Sequence, residues 1–96
     1  MNAGYRRILV AIDDSHAAQR ALGEGIGIAQ APGGELRIIQ GRPVEERILE
    51  LARAWPADLI VMGTHGRRGV GRALLGRCAE GVIRQSNVPV LLARAA

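Results

Sequence analysis

At 96 residues the chain has room for one domain, and at that size only about 60–65% of the unfolded surface can be buried, so the core is thin. No apolar run approaches the roughly 20 residues that cross a bilayer, which argues against a membrane-spanning helix. The formal net charge of +4 comes from 13 basic residues, all arginine, spread from Arg6 to Arg94 among 9 acidic ones; with only Tyr5 and Trp55 to stack on bases, this pattern argues against nucleic acid as a partner.

The first predicted strand is Arg7 to Ile12 (RILVAI), closed by Asp13-Asp14-Ser15. Ser15 suits a helix amino-terminal cap, and Ala18, Ala21, Leu22, Ile26 and Ala29 follow at helical spacing. Gly23, Gly25 and Gly27 each weaken that helix by up to about 1 kcal/mol relative to alanine, so it must lean on packing. The turn Ala31 to Gly34 (APGG) ends it. A second strand is expected at Glu35 to Gln40, after which Gly41-Arg42-Pro43 starts a helix with proline near its first position. Val44, Ile48, Leu51, Ala52 and Trp55 would line one side of it, with Glu45 and Glu46 near its positive end and Pro56 as its stop.

The third strand, Asp58 to Met62 (DLIVM), is short and almost wholly apolar, as suits a parallel strand buried on both faces. A glycine-rich loop runs from Gly63 to about Gly76, a last helix from Arg77 to Gln85, and a final strand from Val90 to Ala93 behind Pro89. A proline at the head of a strand is tolerated most easily on a sheet edge. Helices thus alternate with strands throughout, which implies a parallel sheet, right-handed crossovers and a ligand crevice beyond the strand carboxyl ends. Asp13 to Ser15 and Gly63 to Gly66 fall at that end, where backbone amides and a helix amino terminus suit an anion. Arg67, Arg68, Arg72 and Arg77, the tightest basic group, lie in or beside the same loop and suit phosphate on a small molecule. The whole of residues 1–96 reads as a single domain, with no internal repeat.

The apolar run ILVAI near the start is too brief for a signal peptide, and one cysteine, Cys78, cannot form an internal disulfide. Both lead us to expect a cytoplasmic protein.

RILVAIDDS near the start, ADLIVMGTHGRRGVGRALLG and NVPVLLAR together resemble the universal stress proteins, specifically the branch that binds ATP. That branch carries a motif of Gly, two residues, Gly, nine residues, Gly, then Ser or Thr; Gly63, Gly66 and Gly76 meet it, and Arg77 stands at the hydroxyl position. The resemblance implies a nucleotide site drawn from Ala11, Asp13, Met62, Gly63, His65, Gly66, Gly76, Arg77 and Cys78. In it Asp13 serves the adenine end and the amides around the three glycines serve ribose and phosphates, with Met62 and His65 beside them. The implied ligand is ATP, with magnesium as an optional companion.

Ordinary members of this family have one more strand and one more helix before the segment matching GRPVEERILELA, and a five-stranded order 3-2-1-4-5. The resemblance therefore implies an α/β fold, a truncated Rossmann-like parallel sheet of four strands in the order 2-1-3-4 with three helices. Loss of one crossover leaves the first helix alone on its sheet face, which bares apolar surface. Family members often dimerise through the last strand, so a homodimer or higher homo-oligomer is expected through Val90 to Ala93 and the bared face.

Three functions are open at this point. The first is a stress-response binding and signalling module that holds an adenine nucleotide. The second is an oligomeric interaction protein of the same family that has lost nucleotide binding, suggested by Arg77 and the missing unit. The third, a slow ATPase, lacks chemistry: there is no GxxxxGK[ST] loop, His16 and His65 are the candidate bases, and Asp13 and Asp14 are the only paired carboxylates in view for magnesium. Cys78, with Ala79, Val82 and Ile83 nearby, reads as a small buried hydrophobe before it reads as a nucleophile. GxGxxG is absent after the first strand, which excludes NAD and FAD.

Overall fold

The first strand, β1 (Arg7–Ala11), is buried from Ile8 onward because it has a neighbour on each edge and helices on each face. In the computed structural model, which describes residues 5–12, 16–41, 44–64 and 77–94, it is followed by α1 (His16–Ala29), β2 (Glu35–Ile39), α2 (Glu45–Ala54), β3 (Leu59–Thr64), α3 (Arg77–Gln85) and β4 (Val90–Arg94). The four strands form one parallel sheet in the order β2-β1-β3-β4. This is the truncated order expected from the sequence. The caps and starts assigned to Ser15 and to Arg42-Pro43 lie outside the described residues.

Alternation along β1 and β3 divides the core in two. Ile8, Val10, Leu59 and Val61 face α1 with Ala21 and Ala93, whereas Leu9, Ala11, Ile60 and Met62 face α2 and α3 through Ile48, Leu49, Ala52, Ala79 and Val82. Among the described residues α1 is the only helix on the first face. It sits close because its contact stripe is Ala17, Ala18, Ala21 and Gly25. A Cβ at Gly25 would stand 2.5 Å from Val10 Cγ2, while Gly23 and Gly27 have open space around theirs. The three helix glycines therefore divide: Gly25 is needed for close approach, and Gly23 and Gly27 only weaken the helix.

Several strand ends differ by one residue from the sequence reading, and two boundaries differ by more. α2 turns Ile48, Leu49 and Ala52 to the core, leaves Leu51 and Trp55 half-buried, and leaves Val44 58% exposed. The reason is that Val44 is the extended N-cap of α2 and not part of its first turn, so the buried stripe is rotated toward Leu49. β3 also runs two residues past Met62, because Gly63 and Thr64 find partners in Ala93 and Arg94 of β4.

Asp58 stands just before β3. Its Oδ2 accepts the backbone N–H of Arg7 at 2.9 Å and of Arg6 at 3.0 Å, and its own N–H donates to the Arg7 carbonyl at 2.7 Å. These bonds tie the amino-terminal ends of the two central strands together. The Arg7 amide, then the Arg6 amide, hold the Asp58 carboxyl below its ordinary value against an opposing effect of burial, with the two guanidinium charges adding to the depression.

A depressed folded-state value stabilises the fold above the unfolded-state value of about 4, and that contribution is lost as pH falls through the folded value. Asp58→Ala should accordingly lower the melting temperature at neutral pH, with the gap from the parent chain narrowing below about pH 4; thermal melts across that range check it. In α1, Gly23→Ala should stabilise by about 0.5–1 kcal/mol, whereas Gly25→Ala should destabilise, as chemical denaturation will read.

Candidate functional site at the carboxyl rim of the sheet

All four strands end on one rim, and the crossover helices start there, as the parallel connection requires. At its centre Ala11 of β1 lies in register with Met62 of β3. Both are about 6% exposed and both point to the α2 and α3 side. β1 is held to β2 just beyond, where the Ile12 N–H donates to the Ile39 carbonyl at 2.9 Å. On the far side of β3, Gly63 pairs with Ala93 and Thr64 with Arg94.

Gly63 faces α1. A Cβ there would come within 2.7 Å of the backbone carbonyl carbon and oxygen of Ala17 and 2.9 Å of its Cβ. The first turn of α1 is thus pressed onto the end of β3, which is possible only because residue 63 has no side chain. That contact brings the amino terminus of α1, the positive end of its dipole, to the junction of β1 and β3. α3 begins at Arg77 on the opposite face, and Cys78 in its first turn packs half-buried against the α2 and α3 core.

Of the residues expected in the site, the structure therefore brings Ala11, Met62 and Gly63 side by side at the rim. Cys78 belongs to the core cluster that contains Ala11 and Met62. Arg77 is fixed as the first residue of α3; its side chain, like Asp13, His65, Gly66 and Gly76, lies outside the described residues. Asp14, Arg67, Arg68 and Arg72 also lie outside them, and so does the side chain of His16. Among the described residues no group of three or more His, Cys, Asp or Glu side chains could hold a metal ion.

Sequence reasoning did not find Ala17, whose backbone shapes the rim against Gly63, nor Thr64, which completes β3. Neither carries a local signal, because both act through contacts between segments far apart in the chain. It also did not find a cleft of about 330 Å³ on the β2 flank, between that strand and α2, lined by Leu9, Arg37, Ile39, Leu51, Ala54 and Trp55. There the Arg37 guanidinium stacks over the Trp55 ring at 4.6 Å.

The described helices include none long and apolar enough to cross a membrane. A family model described as the universal stress protein family matches residues 4–45 and 38–94. The two matched segments meet at the connection between β2 and α2, where the resemblance implied a missing strand and helix. A universal stress protein from Thermus aquaticus is 39% identical over 77 residues, which takes in 80% of this chain and 56% of the relative. A crystal structure of a universal stress protein from Archaeoglobus fulgidus superposes with a TM-score of 0.80 at 28% identity, over 97% of this chain and 45% of that one. A universal stress protein solved in complex with cAMP shares the fold, with a TM-score of 0.64 at 24% identity over 98% of this chain and all of that one. Against the Thermus and Archaeoglobus proteins, the chain spans about half the length of its relative.

Gly63→Ala tests the close approach of α1. It should cost about 1–3 kcal/mol, since the atoms it meets are backbone and cannot swing aside, and it should lower the melting temperature by several degrees with no ligand present.

Proposed function

The chain belongs to the universal stress protein family, and we propose that it binds an adenine nucleotide, ATP, at the carboxyl rim of its sheet and serves as a stress-response binding and signalling module. One observation carries this reading: the ends of β1 and β3 lie side by side at Ala11 and Met62, and the segment with the Gly63, Gly66, Gly76 spacing leaves the sheet at that point. The rim suits an anion, because α1 and α3 start there on opposite faces and present their positive ends. The cAMP complex of a protein with this fold agrees with a nucleotide in this role.

Within that reading Asp13 serves the adenine end, and Met62 and His65 stand beside the amides that serve ribose and phosphates. The amides around Gly66 and Gly76 serve the phosphates, where the absence of a Cβ lets backbone approach closely. Gly63 contributes by admitting α1 to the strand end, so its part in the site is to set the position of a helix amino terminus. ATP would supply charge and shape to be sensed. Described carboxylates offer no cluster for magnesium, which leaves Asp13 and Asp14 as the candidates. A cytoplasmic setting and self-association through β4 and the thinly covered α1 face complete the proposal. The half-buried Val90, Leu91 and Leu92 support the β4 contact, and the 42% exposure of Ile26 and 45% exposure of Ile38 support the second.

Arg77 favours a second reading. It stands first in α3, where the family motif has a hydroxyl residue, and a long cation there either grips a phosphate or occupies its space.

Four measurements decide between them. Denaturing freshly purified protein should release adenine nucleotide into the supernatant. Saturating ATP should raise the melting temperature: ligand at a hundred times its dissociation constant adds about 2.7 kcal/mol, on the order of 10 °C or more for so small a domain. Gly66→Val should abolish that rise while leaving the ligand-free melt in place. Arg77→Ser separates the readings, since tighter binding marks the arginine as an obstruction and weaker binding marks it as a grip. No released nucleotide together with no shift at millimolar ATP would favour the interaction protein.

A further inference from the structure

β2 is an edge of the sheet. The bonds from the Glu35 N–H to the Arg6 carbonyl and from the Ile12 N–H to the Ile39 carbonyl, each 2.9 Å, fix the parallel ladder so that residues 35, 37 and 39 bond to β1. The N–H and C=O groups of Leu36 and Ile38 therefore point away from the sheet. Ile38 is 45% exposed on the α1 side. On the opposite side Glu35 and Arg37 are exposed, and neither has an ion-pair partner among the described residues.

We infer that two copies of this chain join through β2 in antiparallel register about a two-fold axis at Leu36, giving a continuous eight-stranded sheet. Charge selects the register. With the axis at Leu36, Glu35 lies opposite the partner's Arg37 and Arg37 opposite the partner's Glu35, so every charge is paired once and the contact holds two ion pairs. An axis at Arg37 sets two arginines against each other, and one at Ile38 leaves both charges unmatched. The Leu36 register also makes Leu36 a hydrogen-bonded pair with its own copy, using the outward N–H and C=O, and sets Ile38 diagonally beside the partner's Leu36. Arg37 is already held in place by Trp55 at 4.6 Å, so little freedom is lost when it pairs. This contact is separate from the nucleotide rim and from β4.

The test is a charge-reversal cycle read by sedimentation velocity and hydrogen exchange on the full chain. The parent should sediment as an associated species at tens of micromolar, with the Leu36 and Ile38 amides protected. Glu35→Arg and Arg37→Glu should each lose the β2 contact and that protection, since each sets like charges opposite one another. An equimolar mixture of the two variants should regain both, and so should the double reversal. The proposal is overturned if the parent is monomeric, if either single reversal leaves sedimentation and amide protection unchanged, or if the mixture fails to reassociate while the melting temperatures match the parent.

Discussion

A parallel sheet carries apolar side chains on both faces and is stable only when both are covered. Here four strands have three helices to cover them, two on one face and one on the other among the described residues. Much else in the molecule follows from that shortage. α1 has to shield Ile8, Val10, Leu59 and Val61 by itself, and it does so by lying very close, over a stripe of alanine and glycine. Close packing substitutes for area, since a well-fitted interface gains dispersion contacts that a loose one forfeits.

The same closeness shapes the rim. Gly63 has no side chain where Ala17 presses on it, so the end of β3 and the start of α1 share one small volume. A glycine that sequence patterns associate with phosphate thus has a packing reason of its own. The two reasons are linked, because seating the helix there sets the positive end of its dipole beside the strand ends. Fold and candidate site meet in one residue.

Most of the architecture was legible in the sequence. β-branched apolar runs marked β1 and β3, Ala31 to Gly34 and Pro56 marked the breaks between elements, and α3 was found at its observed bounds. Alternation of strand and helix implied a parallel sheet, and the resemblance to the universal stress proteins implied its order and a missing unit before GRPVEERILELA. The errors came where a distant partner decides. Gly63 and Thr64 count as strand because β4 pairs with them, a fact that their own chemistry does not carry. Val44 fits the helical apolar pattern, yet its extended backbone makes it a cap. Ala11, Met62 and Gly63 lie near one another because strand order alone determines it. The packing role of Gly63 was not visible, because it depends on how near α1 comes.

The clasp between Asp58 and the amides of Arg6 and Arg7 closes a loop of chain, joining positions 51 and 52 residues apart. Everything from α1 through α2 lies inside that loop. Closure entropy grows with the logarithm of loop length, so a relative carrying a further strand and helix, about 25–30 residues, gives up about 0.4 kcal/mol more to bring the same ends together. Shortening the chain between β2 and α2 leaves the clasp intact and makes the encounter of the two central strands less costly. A chain without that unit thus has a shorter search before its middle strands meet.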